Sequence, residues 1–156
     1  MITRYNVVLA PHTEGHPLLV KEETYPYNSD SVHSPDAVVK MLNACMGLET
    51  RAEEYAYMVA VDSACHVLGI FEVAHGTVNS ALIGMREIFI RALLSGAAAI
   101  FLVHNHPGAN PAPSQEDKQV CQRTKETCAL MGIRLMDFII VSRGGRYWSF
   151  MEKKML

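Results

Sequence analysis

The most constraining stretch of this sequence is Ala97-Ala98-Ala99-Ile100-Phe101-Leu102-Val103, an unbroken apolar run followed at once by His104-Asn105-His106-Pro107. It is far too short to cross a bilayer, which takes about 20 residues. Closed by Ser95-Gly96 on one side and Pro107 on the other, it reads as a strand covered on both faces. A strand of that kind needs other elements packed above and below it. The chain must therefore build layers around it, and the rest of the pattern shows which elements are available.

Residues 5–9 and 17–25 are rich in Val, Leu and Tyr and flank the polar stretch Pro11-His12-Thr13-Glu14-Gly15-His16, which predicts two strands around a loop, as in a hairpin. Ser34-Pro35-Asp36 supplies an N-cap, a proline at the first helical position and an early acid. Val38, Val39, Leu42 and Met46 then follow at helical spacing until Gly47. Residues 55–61 and 66–74 read as strands joined through Asp62-Ser63. Glu87 to Leu94 reads as a helix with an Ile88/Leu94 apolar side, and Ser114 opens a third helix that stops at Gly132. Residues 133–141 and 146–150 form two last strands around the turn Arg143-Gly144-Gly145. The expectation is one mixed α/β (α+β) domain over residues 1–156, with 1–33 a strand-hairpin extension and 34–150 the core.

With 156 residues, 49% hydrophobic and 19% charged, the chain can bury a real core, and the balance argues against disorder. Cys45, Cys65, Cys121 and Cys128 form no CxxC pair and read as reduced, buried residues. Cys121 and Cys128, seven apart, share a helix face. The net charge of −2 gives no global field to recruit nucleic acid, and Arg123-Thr124-Lys125 and Lys153-Lys154 read as solvated faces. The N-terminus lacks the basic-then-apolar layout of a signal peptide, so a cytoplasmic protein with no membrane partner is expected. Nothing in the pattern specifies an oligomeric state.

The chemistry gathers after the apolar run. Residues two apart on a strand project to one face, so His104 and His106 present two imidazoles to one point, while Pro107 ends the ladder. Ser114-Gln115-Glu116-Asp117 has the spacing of a capping box. The intervening loop, which holds Pro111 and Pro113, lets the chain double back so that Asp117 can supply a third ligand. Two His and one carboxylate leave a fourth position on zinc open for water, and the same set can hold iron(II). Read blandly, HxH is a pair on a solvated strand, Ser114 a cap and Asp117 a favourable charge at a helix N-terminus. A hydrolytic site also needs a general base, for which Glu53, Glu54, Glu72 and Glu87 are candidates. Glu54, opening a buried strand, is the hardest to explain as surface solvation. The remaining histidines (His12, His16, His33, His66) read as loop or solvent residues, and His75 as a possible neighbour of the pocket.

His104-Asn105-His106-Pro107, with seven residues between His106 and Ser114 and then Gln115-Glu116-Asp117, resembles the JAMM motif of the JAB/MPN metalloprotease superfamily, HxHP followed by SxxD. The wording is closest to the RadC-like branch. Gly76-Thr77-Val78-Asn79-Ser80, Arg86-Glu87-Ile88-Phe89, Ala97-Ala98-Ala99-Ile100 and Asp137-Phe138-Ile139-Ile140-Val141 resemble that branch's segments in order, over about residues 34–150. The resemblance implies a single JAB/MPN-like domain, a curved, mostly antiparallel or mixed sheet with flanking helices in a cytidine-deaminase-like architecture. It implies Zn2+ as cofactor, held by His104, His106 and Asp117, with Ser114 stabilising an oxyanion and Glu54 as the base (Glu53 the fallback). The sequence departs from the branch at Gly84-Met85, which stand where His-Pro is usual before Arg86-Glu87, and at Gly108-Ala109, where Ser-Gly is common.

The function so implied is zinc-dependent hydrolysis of a peptide or isopeptide bond in a peptide or protein substrate. One rival is a DNA-repair or mobile-element accessory that binds nucleic acid. It is weakened because residues 1–33 read as strands rather than as the helix-hairpin-helix region of longer RadC proteins. The other is an interaction domain that retains zinc without catalysis.

Overall fold

A computed structural model describes residues 1–9, 14–76 and 83–156. The apolar run becomes the fifth strand of a seven-stranded sheet. In chain order the elements are β1 (Ile2–Leu9), β2 (Pro17–Tyr25), α1 (Pro35–Met46), a 3-10 turn (Leu48–Thr50), β3 (Tyr55–Val61), β4 (Val67–His75), α2 (Met85–Leu94), β5 (Ala99–His106), α3 (Gln115–Met131), β6 (Arg134–Ser142) and β7 (Arg146–Ser149). The sheet order is β2-β1-β4-β3-β5-β6-β7. β1/β4 and β5/β6 run parallel and the other neighbours antiparallel. This is a mixed α+β domain, as the sequence predicts.

Two cores explain why β3, β5 and β6 are apolar on both faces. On one face Val38, Met41 and Leu42 of α1 pack against Tyr57, Val59, Phe101 and Val103. On the other, Ile88 and Ala92 of α2 and Cys121 and Cys128 of α3 pack against Met58, Ala60, Ile100 and Leu102. Alternation along β5 thus sends odd residues to α1 and even residues to α2 and α3. Burying a Leu or Ile fully is worth about 1.5–3 kcal/mol, so a one-residue slip of β5 would be strongly opposed.

The helix ends follow their sequence signals. The Ser34 side chain accepts from the Ala37 N–H, and Gly47 closes α1 at φ 61°, a left-handed conformation that glycine adopts without strain. On α2 the buried stripe is Ile88, Phe89 and Ala92. Leu94 is exposed, contrary to the expected Ile88/Leu94 side. Six residues at 100° each carry Leu94 about 120° off the Ile88 face. The Glu87 carboxylate folds back over Gly84, into the space that a Cβ there would occupy.

β1 and β2 pair antiparallel, as a hairpin requires, and β1 joins the sheet through the parallel contact Arg4↔Ile70. The first strand begins at Ile2, earlier than the pattern suggests, because Ile2 is buried in the α1 core. His12 and the segment 77–80 lie outside the described residues. Cys45, Cys121 and Cys128 are buried free thiols and Cys65 is half-buried and free. Among the described residues no helix is long and apolar enough to cross a membrane.

Candidate metal centre

The β5–α3–β6 unit positions the site. The even row of β5 continues past Leu102 to His104 and His106, so both rings project to the face where α3 packs. His106↔Ser142 is the last β5/β6 pair before Pro107. The chain then turns back, and Ser114 caps α3 with a reciprocal box: its Oγ accepts from Asp117 N at 3.1 Å while its own N–H donates to Asp117 Oδ2 at 2.7 Å. That box fixes the carboxylate's orientation. Asp117 Oδ1 then lies 3.0 Å from His104 Nε2, and Oδ2 lies 3.4 Å from His106 Nε2. One potential ligand atom from each of the three residues falls within 4.8 Å of the others. Ligands at opened bonds to a tetrahedral zinc stand about 3.4 Å apart, so the spacing suits a shared ion.

The donors themselves fit a metal. His104 is 3% exposed, and its Nε2 makes no aligned hydrogen bond although Asp117 Oδ1 is close. A buried polar atom left in that state is costly unless something else engages it. His106 Nδ1 faces the Asn110 carbonyl at 3.3 Å. That contact places the ring proton on Nδ1 and leaves the Nε2 lone pair for the centre, as in ligating histidines. Burial alone would raise the Asp117 carboxyl, but the two imidazoles and the Ser114 N–H hold it well below the usual carboxylate range. His106 is raised in turn, chiefly by its contact with Asp117.

The four candidate bases separate in space. Glu54 is half-buried at the mouth of β3, close enough to His106 to raise its pKa. Glu53 is exposed and hydrogen-bonded to His75 Nε2, whose ring stacks on Tyr55 at 4.0 Å between centroids. Glu72 faces the Tyr57 hydroxyl on β4, and Glu87 lies against Gly84. His75 therefore belongs to the Glu53 side of the strand end. His66 pairs with Asp62 beside its turn, and His16 and His33 are exposed. Reading the sequence alone misses Asn105. It is 1% exposed, and its amide bonds the main chain on both sides of Glu54: Tyr55 N–H donates to Oδ1 at 2.8 Å, and Nδ2 donates to Glu53 O at 3.0 Å. The only sequence signal is a polar residue sandwiched between two histidines on a buried strand.

The RadC-like JAB domain family model matches residues 32–155. This chain belongs to the RadC-like JAB domain family. Similar curated relatives are the UPF0758 proteins of Pelobacter propionicus (40% identical over 103 residues, 66% of this chain and 44% of the relative), Thermotoga maritima (34% over 118 residues, 76% and 53%) and Alkaliphilus metalliredigens (33% over 129 residues, 83% and 54%). The chain spans about half the length of the curated relatives it matches. In this RadC-like JAB domain the hairpin of β1 and β2 precedes the family match and forms one edge of the sheet. The His104/His106/Asp117 group lies within the match, at the carboxyl end of β5 and the amino end of α3. Open α/β layers characteristically take ligands at such a strand-to-helix junction.

Proposed function

We propose that this domain is a zinc-dependent hydrolase of peptide or isopeptide bonds, with His104, His106 and Asp117 holding the metal. The observation that carries this reading is the buried His104 Nε2, 3.0 Å from a fixed carboxylate oxygen yet without an aligned hydrogen bond, at the centre of a two-His, one-Asp group. A zinc ion there would polarise a scissile carbonyl and lower the pKa of water to about 7.

The chain's own groups supply the rest. Glu54 accepts a proton from the attacking water and passes it to the departing amine nitrogen, so that one carboxylate serves as base and then as acid. Ser114 has its Oγ lone pair engaged by the Asp117 N–H, which leaves the hydroxyl proton to donate to the substrate oxyanion. Asp117 and the Asn110 carbonyl keep both imidazoles oriented.

The deciding experiment pairs elemental analysis with hydrolysis of a mixed peptide and isopeptide library. The expected result is about one zinc per chain and cleavage that a chelator abolishes and added zinc restores. Zinc-loaded protein that cleaves no member of the library would support the non-catalytic alternative instead. Protein that takes up no transition metal would remove both.

A further inference from the structure

Asn105 interrupts what should be ordinary strand pairing. The β3/β5 ladder runs in register from Val61↔Ala99 to Ala56↔His104 and stops there, although β5 continues to His106 alongside β6. One residue further, at Tyr55, β3 still pairs with His75 of β4 but no longer with the backbone of β5. The Asn105 side chain takes over, accepting from the Tyr55 N–H and donating to the Glu53 carbonyl. Those two groups flank Glu54 and point toward β5. The Glu54 carbonyl points the other way and accepts from Gly76 N–H at 2.8 Å, beyond the end of β4. The backbone at Glu54 is therefore held from both neighbouring strands.

Register and alternation fix what this achieves. Extending the Ala56↔His104 pairing by two residues sets Glu54 opposite His106, and Glu54 shares the even face of β3 with Ala56 and Met58. That is the face on which His104, His106 and Asp117 converge. A single buried amide thus links the ligand strand to the residue that must stand over the metal. We propose that Asn105 is the positioning residue for Glu54: it acts through that residue's backbone and touches neither metal nor substrate. The inference rests on Glu54 being the base. Only an amide fits, because the contact needs one acceptor and one donor in a plane. Aspartate, of equal size, keeps the acceptor but sets a carboxylate oxygen against the Glu53 carbonyl.

Asn105→Asp and Asn105→Ala test it on full-length, zinc-loaded protein. Both are expected to keep one zinc per chain and to lower kcat by about 10- to 100-fold with KM changed less than about twofold, the range seen when groups that orient a site are removed. Amide exchange should quicken at Tyr55 and Gly76 while Val59 and Leu102 in the β3/β5 ladder keep wild-type rates. In a Glu54→Gln background, Asn105→Asp should add almost no further loss, because both changes strike one function. Wild-type kcat in Asn105→Asp, loss of zinc, unchanged exchange at Tyr55, or full additivity with Glu54→Gln would each overturn the inference while leaving the hydrolase reading intact. A wild-type protein that cleaves nothing brings down that reading, and this one with it.

Discussion

Two buried aspartates, Asp117 and Asp137, show how one fold uses the same side chain for opposite ends. Asp137 sits on β6, fully buried, accepting from Ser149 Oγ at 2.5 Å and Met151 N at 3.0 Å, and so ties the last turn to the sheet. Asp117 also takes part in a serine-linked box, but it faces two imidazoles. Burial pushes the Asp137 carboxyl above its ordinary value, outweighing the hydrogen bonds from Ser149 and Met151. At Asp117 the imidazoles and the Ser114 N–H outweigh burial and the carboxyl is held low. Hydrogen bonds alone satisfy a structural acid. A site that holds its acid ionised is ready for a cation.

The comparison breaks first if the metal follows the wrong residue. His104→Ala is expected to lose essentially all bound zinc, whereas Asp137→Ala keeps about one per chain and loses about 1–3 kcal/mol of stability for its stranded partners. Metal analysis and denaturant unfolding of both proteins check this, and zinc loss in Asp137→Ala would erase the distinction. Next in size, Glu54→Gln should retain zinc and lower turnover about a hundredfold or more. Glu53→Gln, which disturbs only the exposed contact with His75, should change turnover less than about threefold. Steady-state rates on one cleaved substrate decide between them. Ser114→Ala should cost about 1 kcal/mol as a lost cap and roughly a hundredfold in turnover as a lost oxyanion donor. Lost stability with wild-type turnover would leave Ser114 a cap alone.

How much of this was readable in the sequence varies with how local each interaction is. The α1 and α3 caps are encoded within four residues, and Ser34, Gly47, Ser114 and Gly132 stand where the pattern places them. The three members of the metal group were legible for a similar reason, since strand alternation fixes His104 and His106 and the capping box fixes Asp117. Among the candidate bases the sequence favours Glu54 with Glu53 as fallback, and what separates the two in space is how β3 lies beside β5, which no local spacing encodes. Asn105 was invisible as an actor: its partners are 50 and 52 residues away, and no local spacing signals a side chain that replaces a ladder. Leu94 failed for the opposite reason, as an apolar residue near a helix end that its angle turns outward.

The smallest expected effect is in the pH dependence of metal-free protein. Asp117, lowered from 3.8, adds stability that is present above about pH 4 and lost as pH falls below it. His106, raised from 6.5, adds stability present below that value and lost as pH rises through its raised one. Asp137, raised from 3.8, has the reverse sign to Asp117: its contribution is full below 3.8 and lost as pH climbs through its raised value. Relative to wild type, Asp117→Asn should therefore be most destabilised between about pH 4 and 6.5, while Asp137→Asn should gain as pH rises from 4 to 7. Tm against pH in chelator measures both, and parallel curves for the two variants would contradict the assignment of charge.

The most direct test of the central claim is anomalous diffraction at the zinc edge from crystals of zinc-loaded protein. One peak is expected at about 2.0–2.2 Å from His104 Nε2, His106 Nε2 and an Asp117 carboxylate oxygen, with the Glu54 carboxylate facing its open side. A peak held by other residues, or none at these three in protein that carries zinc, would contradict it.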